Sequence, residues 1–130
     1  MNIKYIDSIN MINSNQLEGF FVGWKTPLTP ERHYALLCGS THFIVALVND
    51  KAVGFITALS DGVASSFIPL IEVLPEYQKQ GIGSELMMRM LAKLEAITNV
   101  DITCDPELQS FYERFNMLRS TGMVLRKYLS

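Results

Sequence analysis

Ile71-Glu72-Val73-Leu74-Pro75-Glu76-Tyr77-Gln78-Lys79-Gln80-Gly81-Ile82-Gly83-Ser84 is the stretch on which the reading of this chain turns. An apolar run with strand character enters a loop bearing two glycines, and the loop opens directly into a long helix. The first N–H groups of a helix have no acceptor inside it, and the helix dipole leaves that end partly positive. A strand–loop–helix entry of this kind is therefore a natural anion site. Gly81 and Gly83 let a phosphate approach the backbone without meeting a Cβ, and no lysine is needed because the N–H groups do the binding. The plainer reading is that two glycines only permit a tight strand-to-helix turn. The loop is not a GxxxxGKS/T phosphate loop. It also lacks the third glycine and the acidic strand end of the dinucleotide fingerprint.

Downstream of the loop, Gly81 to Ile97 reads as a helix. Leu86, Met87, Met90, Leu91, Leu94 and Ile97 recur on one side, with Glu85, Arg89, Lys93 and Glu95 largely on the other. The methionines in that stripe read as core filling. Val100 to Cys104 is a short strand, Asp105-Pro106-Glu107 caps a helix through about Phe115, and Gly122 to Leu129 is a last strand.

Upstream, residues 64–74 form a strand containing Pro69, which demands an edge, a bulge or an opening nearby. His42–Val48 and Ala52–Leu59 flank Asn49-Asp50 as a β-hairpin, and Asp61-Gly62 makes a second turn. Thr29-Pro30-Glu31 opens a helix that Gly39 ends. Asn13 and Gln16, at capping-box spacing, open another helix through about Phe21, and residues 3–9 form the first strand. The order β-α-α-β-β-β-α-β-α-β predicts an α/β (α+β) fold. It is a mixed, mostly antiparallel sheet flanked by helices, one domain over residues 1–130.

With 48% hydrophobic and 18% charged residues, the chain has a globular balance rather than a disordered one. A net charge of −2 leaves no basic excess for a phosphate backbone, so nucleic acid is excluded as a general partner. Cys38 and Cys104 lack CxxC spacing and read as reduced thiols; with only His33 and His42 besides, no metal site is expected. No basic segment precedes an apolar run at the start, and no apolar stretch reaches the ~20 residues that span a bilayer. The expectation is a soluble cytoplasmic protein with no membrane partner.

Gln78, Gly81 and Gly83 resemble motif A of the GNAT acetyltransferases, Gln/Arg-x-x-Gly-x-Gly/Ala, and Val73-x-Pro75-x-Tyr77 is similar to that motif's usual lead-in. Phe111-Tyr112-Glu113-Arg114-Phe115-Asn116-Met117 resembles the family's C-terminal segment, and a strand lies between the two motifs. The likeness covers the second half of the chain closely and the first half in element order alone. Asn116 stands where the family has glycine, and Asn tolerates left-handed backbone better than most residues. Asp105 stands where the family often has asparagine.

The resemblance implies an acetyl-CoA-dependent N-acyltransferase. Its acceptor is a primary amine, on a small molecule or a protein, attacking directly in a ternary complex. It places the CoA pyrophosphate on the N–H groups of Lys79, Gln80, Gly81, Ile82, Gly83 and Ser84. The pantetheine arm would pair along Ile71 to Val73, which requires that strand to splay from the next. It makes the Val73 N–H the oxyanion donor and Tyr112 the acid for the leaving thiolate; as a residue alone, Tyr112 reads rather as a core aromatic with its hydroxyl at the rim. Glu72 alternates with Ile71 and Val73 and so points away from them. It is the candidate base, although a solvent-facing or ion-paired glutamate fits the same pattern. Phe20, Phe21, Trp24, His33 and Tyr34 fall in the segment that would border the acceptor, and Trp24, in a break between helices, is the one expected to be exposed. The alternative is a CoA-binding regulatory module without catalysis. Terminal strands such as Gly122 to Leu129 often pair across a dimer, so a homodimer is among the expected partners.

Overall fold

The computed structural model describes residues 1–129. One five-stranded sheet organises it, with strands in the spatial order β1 (Lys4–Ile6), β2 (His42–Val48), β3 (Lys51–Ser60), β4 (Ser65–Val73) and β5 (Asn99–Asp101). Neighbours run antiparallel except β4 and β5, which are parallel. The parallel pair is joined by α2 (Ile82–Lys93), the crossover that such a pair requires. Two further helices complete the fold, α1 (Pro30–Gly39) and α3 (Gln109–Glu113).

The sheet is covered on both faces. In β2, Ile44, Ala46 and Val48 join the core under α2, while Phe43, Val45 and Leu47 join a second core with Phe21, Leu37 and Phe55. This explains why β2 and β3 read as near-continuous apolar runs. Gly54 lets α2 lie close to the sheet: a Cβ there would stand 3.2 Å from Ile82 Cγ2 and 3.3 Å from both Glu72 O and Leu86 Cδ1. The turn between β2 and β3 uses Asn49 and Asp50 at φ 49° and 64°, the left-handed pair that a two-residue hairpin needs. Thr29 caps α1, its Oγ1 accepting from Arg32 N–H at 3.1 Å.

Pro69 sits where the sequence requires an irregularity, and the structure supplies two. Thr57 faces Leu70 while Leu59 faces Phe67, so β4 carries an extra residue opposite Ala58. The bulge switches the alternation: Ser66 and Ile68 are buried before it, whereas Ile71 and Val73 pack towards the α2 core after it. The ladder to β5 also ends here, its last pair being Phe67 with Asp101. From residue 68 onward β4 has β3 on one side and no strand on the other among the described residues.

Two expected elements do not form. The capping box at Asn13 is made, with Asn13 N–H donating to Gln16 Oε1 at 2.7 Å, but it closes only one 3-10 turn, Ser14–Gln16. Gly19 at φ 93° and Phe21 at φ 64° then turn the chain out of the helical path. The Phe21 N–H that a helix would use is given instead to Glu72. The last strand, Gly122 to Leu129, is likewise absent: the segment leaves the sheet, and only a 3-10 turn forms at Lys127–Leu129. A strand exists only where a ladder partner does, and the described residues offer this segment none. α2 stops at Lys93 rather than Ile97, because Leu94 to Ile97 fold into a turn closed by Ile97 N–H on Leu94 O at 2.9 Å. Among the described residues, no helix is long and apolar enough to cross a membrane.

Candidate functional site

The site begins at the free edge of β4. Leu74 N–H donates to Val53 O of β3 at 2.8 Å. Peptide directions alternate along a strand, so the N–H and C=O groups of Ile71 and Val73 face the other way, into the gap beyond β5. An extended chain laid in that gap meets the Ile71 N–H and C=O and the Val73 N–H, while the Val73 C=O is taken by Gln78 Nε2. The splay that the sequence called for is present, and it starts after Phe67.

The gap leads to the N-terminus of α2. Lys79 at φ 63° and Gly81 at φ 87° are both left-handed, and together they turn the loop onto the helix axis. A Cβ on Gly81 would meet nothing within 4 Å, so its glycine serves backbone conformation rather than fit within the chain. A Cβ on Gly83 would stand 3.7 Å from Phe111 Cζ and 3.9 Å from Val73 Cγ2, ordinary contact distances. Gly83 therefore lies at the meeting point of β4, α2 and α3. In the first turn of α2 the N–H groups of Ile82, Gly83 and Ser84 have no intrahelical acceptor. Gln78 does not reach towards this end; its Nε2 donates to Val73 O at 2.9 Å and ties the loop back to the strand it left.

A cation to which the sequence reading gave no role stands beside this helix end. Arg114 Nη2 donates to Ser84 Oγ at 2.9 Å, and its guanidinium lies over the Phe111 and Phe115 rings at 5.3 and 5.8 Å. Arg114 is adjacent to the Tyr112 motif in sequence, and that adjacency was the available signal.

On the other side of β4 a cleft of about 330 Å³ is lined by Val22, Trp24, Leu70, Glu72, Val73 and Gln78, among others. Glu72 shapes it. The carboxylate accepts from Phe21 N–H at 2.9 and 3.0 Å and from Val22 N–H at 3.3 Å, pinning the loop that carries Trp24 onto β4. Trp24 is 46% exposed, as its place between helices suggested, and its ring packs 4.8 Å from that of Phe21. Phe20 and His33 do not line the cleft. His33 is wholly buried against the rings of Phe20, Phe21 and Phe55, at 5.3, 4.9 and 4.3 Å, and neither of its ring nitrogens has a hydrogen-bond partner. Burial pushes its pKa down to about 4. These rings form the floor beneath the loop, and Val22 takes the place in the cleft wall expected of them. Asp61 is a turn residue: its Oδ1 accepts from the N–H groups of Val63, Ala64 and Ser65, which hold its carboxyl below the usual range.

Tyr112 lies on α3, 7% exposed, in the wall of a larger groove of about 830 Å³ that also includes Val100, Ile102 and Cys104. Burial, with a smaller contribution from Cys104, pushes its phenol up to about 12, so it stays protonated at neutral pH. Tyr112 and Glu72 thus line different depressions.

Residues 9–117 match the sequence profile described as the acetyltransferase (GNAT) family. Among solved structures, a candidate acetyltransferase from Deinococcus radiodurans R1 superposes with a TM-score of 0.94 at 39% identity, over 97% of this chain and 89% of that one. A GNAT family acetyltransferase from Streptococcus pneumoniae gives a TM-score of 0.79 at 27% identity, over 97% and 98% of the two chains. An uncharacterized N-acetyltransferase of Pyropia yezoensis is 26% identical, matching 92% of this chain and 73% of its own length.

Proposed function

Because the chain belongs to the acetyltransferase (GNAT) family, we propose that it is an N-acetyltransferase that moves the acetyl group of acetyl-CoA onto a primary amine held in the Trp24–Glu72 cleft. The observation that carries this reading is the free edge of β4 beyond Phe67, where Ile71 and Val73 have no strand partner on that side among the described residues and the edge runs into the N-terminus of α2. An elongated ligand with an amide-bearing arm and an anionic end matches that sequence of features. Acetyl-CoA supplies the activated acetyl thioester.

The chain's own residues then divide the work. The pyrophosphate rests on the N–H groups of Lys79 to Ser84, where the helix dipole favours negative charge. Arg114, already held by Ser84 and two rings, adds a guanidinium suited to phosphate oxygens. The Val73 N–H stands at the free edge as the donor to an oxyanion. Glu72 has room for one further hydrogen bond beside the two N–H groups it holds, and it accepts the amine's proton directly or through water.

Tyr112 donates a hydrogen bond to the leaving thiolate. Its phenol near 12 against a thiol near 8.5 makes full proton transfer uphill by about 3.5 pH units, about 5 kcal/mol. Its contribution is hydrogen-bond stabilisation of the sulfur rather than delivery of a free proton. Proximity of the two bound reactants supplies much of the remaining acceleration, on the order of several kcal/mol.

The test is calorimetric titration with acetyl-CoA and with 3′-dephospho-CoA, on the native protein and on Gly83→Glu. The glutamate extends from a position where a Cβ already touches Phe111 and Val73, and it sets a negative charge where the pyrophosphate should lie. Native binding with loss in the variant supports the site. Equal binding by both places the cofactor elsewhere, and no binding by either removes the reading altogether. A CoA-binding module without turnover is the second reading. It draws on Glu72 already being engaged by the backbone, and it would show acetyl-CoA affinity with no acetylation across an amine panel.

A further inference from the structure

The cleft between Trp24 and Glu72 has a composition that selects among amines. Among the described residues its lining holds one ionisable side chain, Glu72, while Val22, Trp24, Leu70, Val73 and Pro75 supply apolar surface. Lys25 and Lys79 neighbour Trp24 and Gln78 in sequence, and neither lines the cleft. Most of the polar capacity is already used. Glu72 accepts from Phe21 N–H and Val22 N–H, and Gln78 Nε2 donates to Val73 O at 2.9 Å. The indole of Trp24 is 46% exposed, yet its position is fixed from below. Trp24 N–H donates to Phe21 O at 3.1 Å, and the ring packs 4.8 Å from the buried ring of Phe21. Phe21 at φ 64° and Gly23 at φ 85° close the turn between them. Phe21 N–H is in turn held by Glu72, so indole and carboxylate belong to one bonded unit. The cleft therefore sets an aromatic wall beside a lone negative charge.

We propose that the acceptor is a primary monoamine with an aromatic body and no acidic group, its nitrogen at Glu72 and its ring against Trp24; this rests on the acetyltransferase reading above. An ammonium meets the carboxylate's remaining acceptor site. An amino acid would bring a second carboxylate beside Glu72, where the lining has no base to receive it. A polyamine would bring a second ammonium, and the lining has no second acid. The hydroxyls of an amino sugar would lose water and find few partners, because Glu72 and Gln78 are largely engaged. An aromatic body instead covers Leu70 and Pro75 and stacks on the indole, which takes apolar area out of water. The volume, about 330 Å³, is at the small end of the roughly 300–1,000 Å³ of small-molecule sites. On transfer, the ammonium passes one proton to Glu72 and on to solvent. The neutral nitrogen then bonds to the thioester carbon, the C–S bond breaks with its electron pair on sulfur, and the second nitrogen proton ends on the CoA thiol.

Thiol release from acetyl-CoA by the full chain, with 2-phenylethylamine, ethylamine, phenylalanine and spermidine as acceptors, tests this. The kcat/KM for 2-phenylethylamine should exceed that for ethylamine by about 10- to 100-fold, from burial of the ring. It should exceed that for phenylalanine by about 10-fold or more, from the like charges. Trp24→Ala should shrink the ratio of 2-phenylethylamine to ethylamine about 10-fold, mainly through KM for the aromatic amine, and Trp24→Phe should restore most of it. A loop that merely loosened would lower both substrates together and leave the ratio as it was. Ethylamine, phenylalanine or spermidine acetylated as fast as 2-phenylethylamine overturns the proposal and leaves the acetyltransferase reading standing. So does a ratio that Trp24→Ala does not change. If acetyl-CoA binds and no amine is turned over, the acetyltransferase reading fails and binding decides the cleft. With CoA present, titration with 2-phenylethylamine should then change the emission of Trp24, the sole tryptophan, in a saturable way that phenylalanine does not. No such change overturns the proposal.

Discussion

His33 gives the sharpest physical prediction. Its imidazole is fully buried among three phenylalanine rings and accepts and donates no hydrogen bond, so the folded state holds it neutral with a pKa of about 4 against 6.5 when exposed. The fold's preference for the neutral form costs nothing above pH 6.5. As pH falls below that, the unfolded chain takes up a proton that the folded chain refuses, and stability drops until about pH 4, where the loss levels off. The whole span, 2.5 pH units, is worth about 3.4 kcal/mol. By pH 5, before most carboxylates titrate, the loss is already about 2 kcal/mol.

The perturbation is His33→Leu, which keeps an apolar side chain in the cage and removes the titration. Urea unfolding at pH 7.5 and pH 5, followed by the fluorescence of Trp24, the sole tryptophan, gives the four stabilities. The native protein should lose about 2 kcal/mol more than the variant between the two pH values. The variant should match or exceed the native protein at pH 7.5, because two unpartnered ring nitrogens are gone. Equal losses in the two proteins would falsify the premise that the cage excludes the imidazolium.

Two further substitutions separate the roles proposed around β4. Glu72→Gln keeps size and removes the charge that holds Phe21 and Val22; it should lower stability by about 2 kcal/mol and red-shift Trp24 emission as the loop loosens. If Glu72 also accepts the amine's proton, the same variant lowers kcat/KM; an unchanged kcat/KM with the stability loss leaves Glu72 as a clamp alone. Tyr112→Phe should lower kcat about 10- to 100-fold while leaving acetyl-CoA affinity as it was, read by thiol release and by calorimetry. Unchanged turnover would return Tyr112 to the role of a core aromatic.

The local chemistry of the chain settled more than half of this architecture. The Thr29-Pro30 start of α1, the Asn49-Asp50 turn, the apolar stripe of α2 as far as Leu91 and the strand–loop–helix entry at Gly81 each depend on neighbours within a few residues, and each forms as read. Pro69 told that β4 must be irregular, because a missing N–H is a local fact. Where the irregularity fell depended on which strands stood beside it, and only the assembled sheet shows the bulge opposite Ala58 and the ladder ending at Phe67. The second half of the chain could be matched to a family because its motifs lie in one loop and one helix.

What the sequence could not decide were the contacts that cross long separations. Glu72 and Phe21 are 51 residues apart, and the carboxylate's hold on that loop both ends the would-be helix after Gln16 and makes the cleft wall. Arg114 and Ser84, 30 residues apart, meet only because α3 packs on the start of α2. His33 carries no mark in sequence that distinguishes a buried imidazole from an exposed one; three rings from two separate segments made the difference. Residues 122–126 have the alternation of a strand but no ladder partner among the described residues, since side-chain pattern encodes a face while a ladder must be supplied by another backbone.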